Sequence, residues 1–342
     1  MEKVIEIRNR FYQFWSEYEI YLKYLVKFVI ALSLFCYINT TVGFMSKIST
    51  LPVALLLALV CSLLPQAMTL IIAAGLIIAN LYVLSMEVAV TALLIFILIF
   101  FLYFRFAPKD GALFAVTPIL CSFHLVYALP IGTGLLRKAY SVAAVGCGII
   151  VYYFLDGIYD NVTALQATMA GGDAEAAKMT ITAAQLLANK EMYLMVGVFA
   201  LSALVVSVIR QLTIDHAWKI AIVSGALVQI SGLFAGYFLF DIQDRTLSMI
   251  LGNVLAIIVG LIMEFLFMDV DYSRTERVQF EDDEYYYFIK AVPKRMVTDT
   301  DKFVKQYAGN SSFEKKNMKK SKENQISRRA IAEELDIDED LL

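Results

Sequence analysis

Residues 51–84 carry no charged side chain, yet Pro65 and Gln66 stand near the middle of them. Bilayer hydrocarbon is about 30 Å thick, and a helix needs about 20 apolar residues to cross it. The run is too long for one span, and its first arm, residues 51–64, is too short for an ordinary one. A helix breaker in hydrocarbon also frees backbone groups, each costing several kcal/mol unless protein or a wet cavity shelters it. Whatever this chain folds into must accommodate that break. With 59% hydrophobic residues in 342, and the excess gathered in membrane-length runs, the sequence predicts an all-α polytopic membrane protein.

Six further runs read as complete spans: 25–45, 86–106, 139–159, 192–212, 218–240 and 246–268. A second interrupted stretch, 111–136, contains Pro118, His124 and Pro130. Orientation follows from lysine and arginine in short loops. Lys23, Lys27, Arg105, Lys109, Arg137, Lys138, Arg210 and Lys219 all fall on one side if the N-terminus is cytoplasmic, and Lys47 and Arg245 dissent. On that assignment residues 51–84 begin and end outside, and residues 111–136 begin and end inside. Both are therefore predicted to be hairpins, with tips at Pro65-Gln66 and near Ser122–His124. If the arms cross fully the chain has about ten spans; if they turn back within the membrane it has about six. Both termini are cytoplasmic either way, and the expected location is the plasma (inner) membrane. Two broken hairpins entering from opposite faces match the arrangement of inverted-repeat carriers, whose sites lie near the midplane. That likeness is one of architecture.

The remaining organisation follows from charge. Residues 1–24 are charged and aromatic, suiting either an interfacial helix or an extension of the first span. The transmembrane domain covers 25–268. The loop from Asp160 to Glu191 breaks at Gly171-Gly172, and a helix capped by Asp173 is expected to run straight into the span at 192–212. Residues 269–308 form a small cytoplasmic segment, in which Arg277–Lys294 reads as two short strands around Asp282-Asp283. Residues 309–342 read as a flexible basic linker and a short acidic helix.

Chemistry is sparsely indicated. There is no phosphate-binding G-x-x-x-x-G-K-[ST] loop, no H-E-x-x-H and no G-x-S-x-G turn, and His124 and His216 are the two histidines. Nothing argues for a catalytic set, a metal or a cofactor, so the chain is not expected to be an enzyme. The four cysteines, Cys36, Cys61, Cys121 and Cys147, lie in apolar runs and read as buried free thiols. Ionisable groups in spans are costly and tend to mark pathways. Glu87 and Asp156 near outer ends, Glu264 near an inner end, His124 at one tip and Gln66 at the other are the candidate pathway residues. For the acids, a solvated headgroup position is the competing reading. Asn80, Gln229 and Asn253 suit helix-joining hydrogen bonds better than ligand binding. Gly225, Gly232 and Gly236 form a small-residue stripe, expected to pack against another helix inside the protein or, failing that, to make a homo-oligomer face.

These features predict a permease moving a small solute, driven by a gradient or by a separate ATPase, with Gln66 and His124 meeting near the midplane. The alternative is a non-transporting scaffold that recruits a cytoplasmic partner through residues 277–342. Membrane lipid is the one certain neighbour. Nucleic acid is not expected, because acidic groups flank the basic run on both sides.

Overall fold

A computed structural model of the protein describes residues 2–163, 182–212, 214–241, 245–268, 276–281 and 286–291. It divides the chain into units 1–295 and 296–342. The second unit, with all of the expected linker and terminal helix, lies outside the described residues, as do residues 164–181 of the long loop.

The first unit is a helical membrane bundle. Its helices are α1 (Glu2–Glu17), α2 (Glu19–Val42), α3 (Leu51–Leu63), α4 (Gln66–Leu84), α5 (Met86–Phe106), α6 (Gly111–Ser122), α7 (Ala128–Leu136), α8 (Val142–Asp160), α9 (Lys190–Arg210), α10 (Ala217–Phe240) and α11 (Thr246–Phe267). Among the described residues, seven helices are long and apolar enough to cross a membrane. Six are the expected spans, and α4 is the seventh. α3, with 13 residues, extends for only about 20 Å. After the bundle, β1 (Glu276–Glu281) and β2 (Tyr286–Ala291) pair antiparallel, Glu281 opposite Tyr286. This is the expected hairpin, with Asp282-Asp283 in its connection.

Both interruptions fall at the expected tips, but in the second stretch the prolines do not make the break. Pro65 does break the chain: α3 stops at Leu63 and α4 starts at Gln66. Pro118, by contrast, sits inside an unbroken α6. Its ring leaves the Phe114 carbonyl without a helical donor, and that carbonyl faces Gly148 of α8, where a Cβ would come within 2.9 Å of it. A glycine there lets α8 close over the defect. Pro130 falls in the first turn of α7, where a missing N–H costs nothing. The break is at Phe123–Tyr127, at the tip expected near Ser122–His124. The helix after the long loop is also discontinuous. Residues 182–188 are helical, but Asn189 turns extended and its side chain accepts the Met192 N–H at 3.0 Å. The Asn189 cap is stronger than the alanine-rich propensity that favoured continuity.

Two buried cores share α6 and α8. One joins α2 to α5, and the other joins α7 to α9, α10 and α11. In the second, small residues set the helix spacing. Gly225, Gly232 and Gly236 of α10 face Val206, Val198 and Leu194 of α9 in antiparallel register. Gly134 of α7 meets Val206 as well, and Gly132 meets Met263 of α11. α7 is thereby wedged between three long helices.

One end of the bundle is basic. There Lys27 donates to the Leu64 carbonyl at 3.3 Å, Asp110 lies 3.7 Å from Arg137, and Arg210 donates to the Leu135 carbonyl. At the same end Arg8 of α1, 6% exposed, donates to the Phe265 and Met268 carbonyls at 3.4 Å, and Tyr12 donates to that of Leu266. α1 therefore caps the end of α11 and is separate from the first span.

Replacing Gly225 with alanine should lower the melting temperature of the purified protein, at a cost of about 1–3 kcal/mol, because the new methyl meets Val206. The control is Gly75→Ala, where no neighbouring atom lies within 4 Å. Fluorescence-detected melting in detergent should show the first shift and not the second.

Candidate functional site

The hairpin of α6 and α7 begins and ends among the basic residues and turns part-way along the bundle, beside Gly252 of α11 and Tyr152 and Tyr153 of α8. Its turn has a specific helix-ending geometry. The Leu125 N–H reaches the Leu120 carbonyl at 2.9 Å and the His124 N–H reaches Cys121 at 3.0 Å, with His124 at φ 55°. This is a Schellman motif, with histidine at the left-handed position that glycine usually holds. His124 is exposed.

Around this turn lies a small polar cleft. Cys121, His124 and Tyr127 form one side, Tyr152 and Tyr153 of α8 a second, and Glu191 and Met195 of α9 a third, with Arg245 and Ser248 closing it. Arg245 pairs with Glu191 at 3.2 Å, and Tyr153 contacts the Met195 sulfur at 3.0 Å. Burial pulls the Arg245 pKa down, but Glu191 and the nearby tyrosines push it up by more, so the guanidinium stays charged. Tyr127 stacks edge-on against Phe199 at 5.8 Å. The Tyr237 hydroxyl is buried beside Tyr127 without a well-aligned hydrogen bond to any described residue. The Arg245 that breaks the charge rule in the sequence is thus anchored by Glu191, which lies far from it in the chain and which sequence reading passed over.

Deeper in, polar groups continue along the seam between α9, α10 and α11. Gln229 donates to Ser202 at 3.0 Å, and Ser202 donates to the Gly225 carbonyl at 3.0 Å. Ile222 of α10 lies against Gly260 of α11. Counting seven residues along each antiparallel helix from that contact brings Gln229 level with Asn253, on facing sides. Both are 0% exposed. Gln229 Oε1 and Asn253 Oδ1 accept no hydrogen bond from any described residue. Such a buried acceptor costs about 1–3 kcal/mol. Toward the basic end the seam continues through buried Thr133 and Ser207 to Arg210.

The expected pathway residues are dispersed. Gln66 is at the basic end, where a Cβ on Gly111 would come within 3.1 Å of its own Cβ. His124 is at the hairpin tip, against Gly252 and near Arg245. Gln66 touches the start of α6 and His124 follows its end, so the 12 residues of that helix hold them about 18 Å apart, and the predicted midplane meeting of Gln66 and His124 does not occur. The physical reason is length: α4 is a full span, which carries Pro65 down to Lys27. Exposed Pro65 and half-buried Gln66 therefore mark the bundle end. Glu87 is half-buried at the start of α5, accepting from Ser85. Asp156 is half-buried on α8 within electrostatic reach of Arg245. Glu264 is buried beside the carbonyls that Arg8 caps. Among the described residues no group of three or more His, Cys, Asp or Glu is placed to hold a metal.

No family model, curated protein or solved structure matches this chain. The site's chemistry is therefore read from its own residues.

His124→Gly should leave melting unchanged or raise it, because the left-handed cap favours glycine. His124→Val should lower it by about 1–2 kcal/mol. Melting curves of the two variants separate a backbone role from one that needs the imidazole.

Proposed function

We propose that this protein is a permease, with both termini cytoplasmic and the basic end at the inner face of the plasma membrane, that passes a small polar solute or ion along the α9–α10–α11 seam. The observation that carries this reading is the pair of unsatisfied amide oxygens, Gln229 Oε1 and Asn253 Oδ1, in the apolar interior. A protein that only needed helix adhesion would gain stability by replacing them with apolar groups. Oxygen acceptors awaiting a donor or cation suit transient binding. The Glu191–Arg245 cleft then forms the outer mouth, and the α6–α7 hairpin is re-entrant, rising from the inner face and turning short of the outer one. Its helices of 12 and 9 residues reach only about 18 and 14 Å. With no nucleotide-binding loop in the chain, drive comes from a gradient or from a separate ATPase docked on the tail.

The scaffold reading has its own observation. Tyr286 is 62% exposed on the β1–β2 ribbon, an aromatic surface able to receive a cytoplasmic partner. Deleting residues 277–342 would abolish a scaffold's partner binding while leaving seam accessibility intact.

The test is cysteine substitution at Ser202, Gln229 and Asn253 in a background with Cys36, Cys61, Cys121 and Cys147 replaced. Modification by small membrane-impermeant thiol reagents, blocked when Arg245 at the mouth is replaced by tryptophan, is the expected result. Inertness of all three positions from both faces, with exposed control positions reacting, overturns the pathway. The Gln229→Leu/Asn253→Leu double variant should melt higher than the parent and lose conductance or flux in proteoliposomes. Higher melting with unchanged flux would place the path elsewhere.

A further inference from the structure

At the basic end, three connections border an open cavity of about 430 Å³. The α5–α6 connection contributes Lys109 and Asp110, the α7–α8 connection contributes Arg137 and Lys138, and α9 ends there at Arg210. Among the described lining residues, four cations therefore face one carboxylate. Their positions aggravate the imbalance. Lys109 lies just ahead of the N-terminus of α6, and Arg137 and Lys138 just ahead of the helical turn that opens α8. Helix N-termini carry partial positive charge and disfavour nearby cations.

The neutralising groups within the cavity are few. Asp110 is 5% exposed, and its Oδ1, 3.7 Å from Arg137, accepts no hydrogen bond from any described residue. Arg210 is held by the Leu135 carbonyl, and Lys138 lies 5.9 Å from the Tyr140 ring. The Tyr103 hydroxyl ties down the Pro108 carbonyl at 2.9 Å, which fixes the wall that carries Lys109. Phe106 and Tyr140, both largely exposed, add apolar surface at the rim.

We propose that this cavity binds a phosphate-bearing anion, with the cationic side chains and the α8 N-terminal amides receiving its oxygens. A lipid phosphodiester headgroup suits the apolar rim, and a soluble phosphate shares the same polar chemistry. Basic pockets between spans at the inner face are suited to anionic headgroups, and amides at helix starts to phosphate. The inference rests on the chain's being a membrane protein and is independent of the seam.

The experiment uses the full-length protein in neutral detergent, with native mass spectrometry and three probes: dioctanoyl phosphatidylglycerol, dioctanoyl phosphatidylcholine and inorganic phosphate. Retention of phosphatidylglycerol over phosphatidylcholine, with phosphate failing to compete at millimolar levels, assigns the lipid source. Competition by phosphate assigns the soluble one. In either case Lys109→Gln/Lys138→Gln should weaken binding at least about ten-fold. Asp110→Asn should tighten it, because the one opposing charge is removed. A structural role for these residues predicts no tightening. The proposal is overturned if no anionic probe binds, or if both variants bind as the parent does while melting normally. If the lysine variant fails to fold, the direction of the Asp110→Asn effect decides: tightening supports the site, and unchanged or weaker binding overturns it.

Discussion

Inside a membrane, a helix end is expensive, because four carbonyls lose their partners and no water replaces them. This chain has several such ends, and a cation meets each of three at the basic end. Lys27 reaches Leu64 after α3, Arg210 reaches Leu135 after α7, and Arg8 reaches Phe265 and Met268 after α11. Positive charge also complements the helix dipole at these C-termini. The residues that orient the chain by the loop-charge rule are therefore partly structural caps. They add to the backbone bonds that already close α3 and α7, Leu64 N–H to the Cys61 carbonyl and Arg137 N–H to that of Thr133.

Much of the fold was legible because membrane spans are written in composition. The six complete spans, the Pro65 break and the β-hairpin appear where hydropathy, proline and alternation placed them. The depth of the breaks was not legible. A proline announces that a helix stops, but not at which level of the membrane. That level depends on how many residues of each arm pack beside a neighbour, as α3 does against α2. Pro118 shows the converse limit: its defect is absorbed by Gly148, 30 residues later, a pairing that no local pattern reveals.

The candidate site was legible only in outline. His124 was found as a polar group in an apolar segment, while its role as a left-handed cap needs the backbone. Gln229 and Asn253 looked like ordinary helix-joining amides. Their significance lies in what their oxygens lack, and only a three-dimensional inventory of partners reveals a missing bond. Arg245 and Glu191 are separated by most of two helices, and each alone resembles a solvated loop charge. The cavity at the basic end illustrates the same point: its lysines and arginines were each noticed as topology markers, and their convergence around one buried aspartate was not.

The grip of Arg8 on α11 joins the first and the last of the described helices. During synthesis the N-terminal segment emerges first and must wait for residue 268 before its guanidinium has carbonyls to cap. Until then α1 keeps a strongly hydrated charge without its carbonyl partners. A ribosome stalled within α11 would thus leave a product recognisable to quality-control proteases by its unlatched leading end.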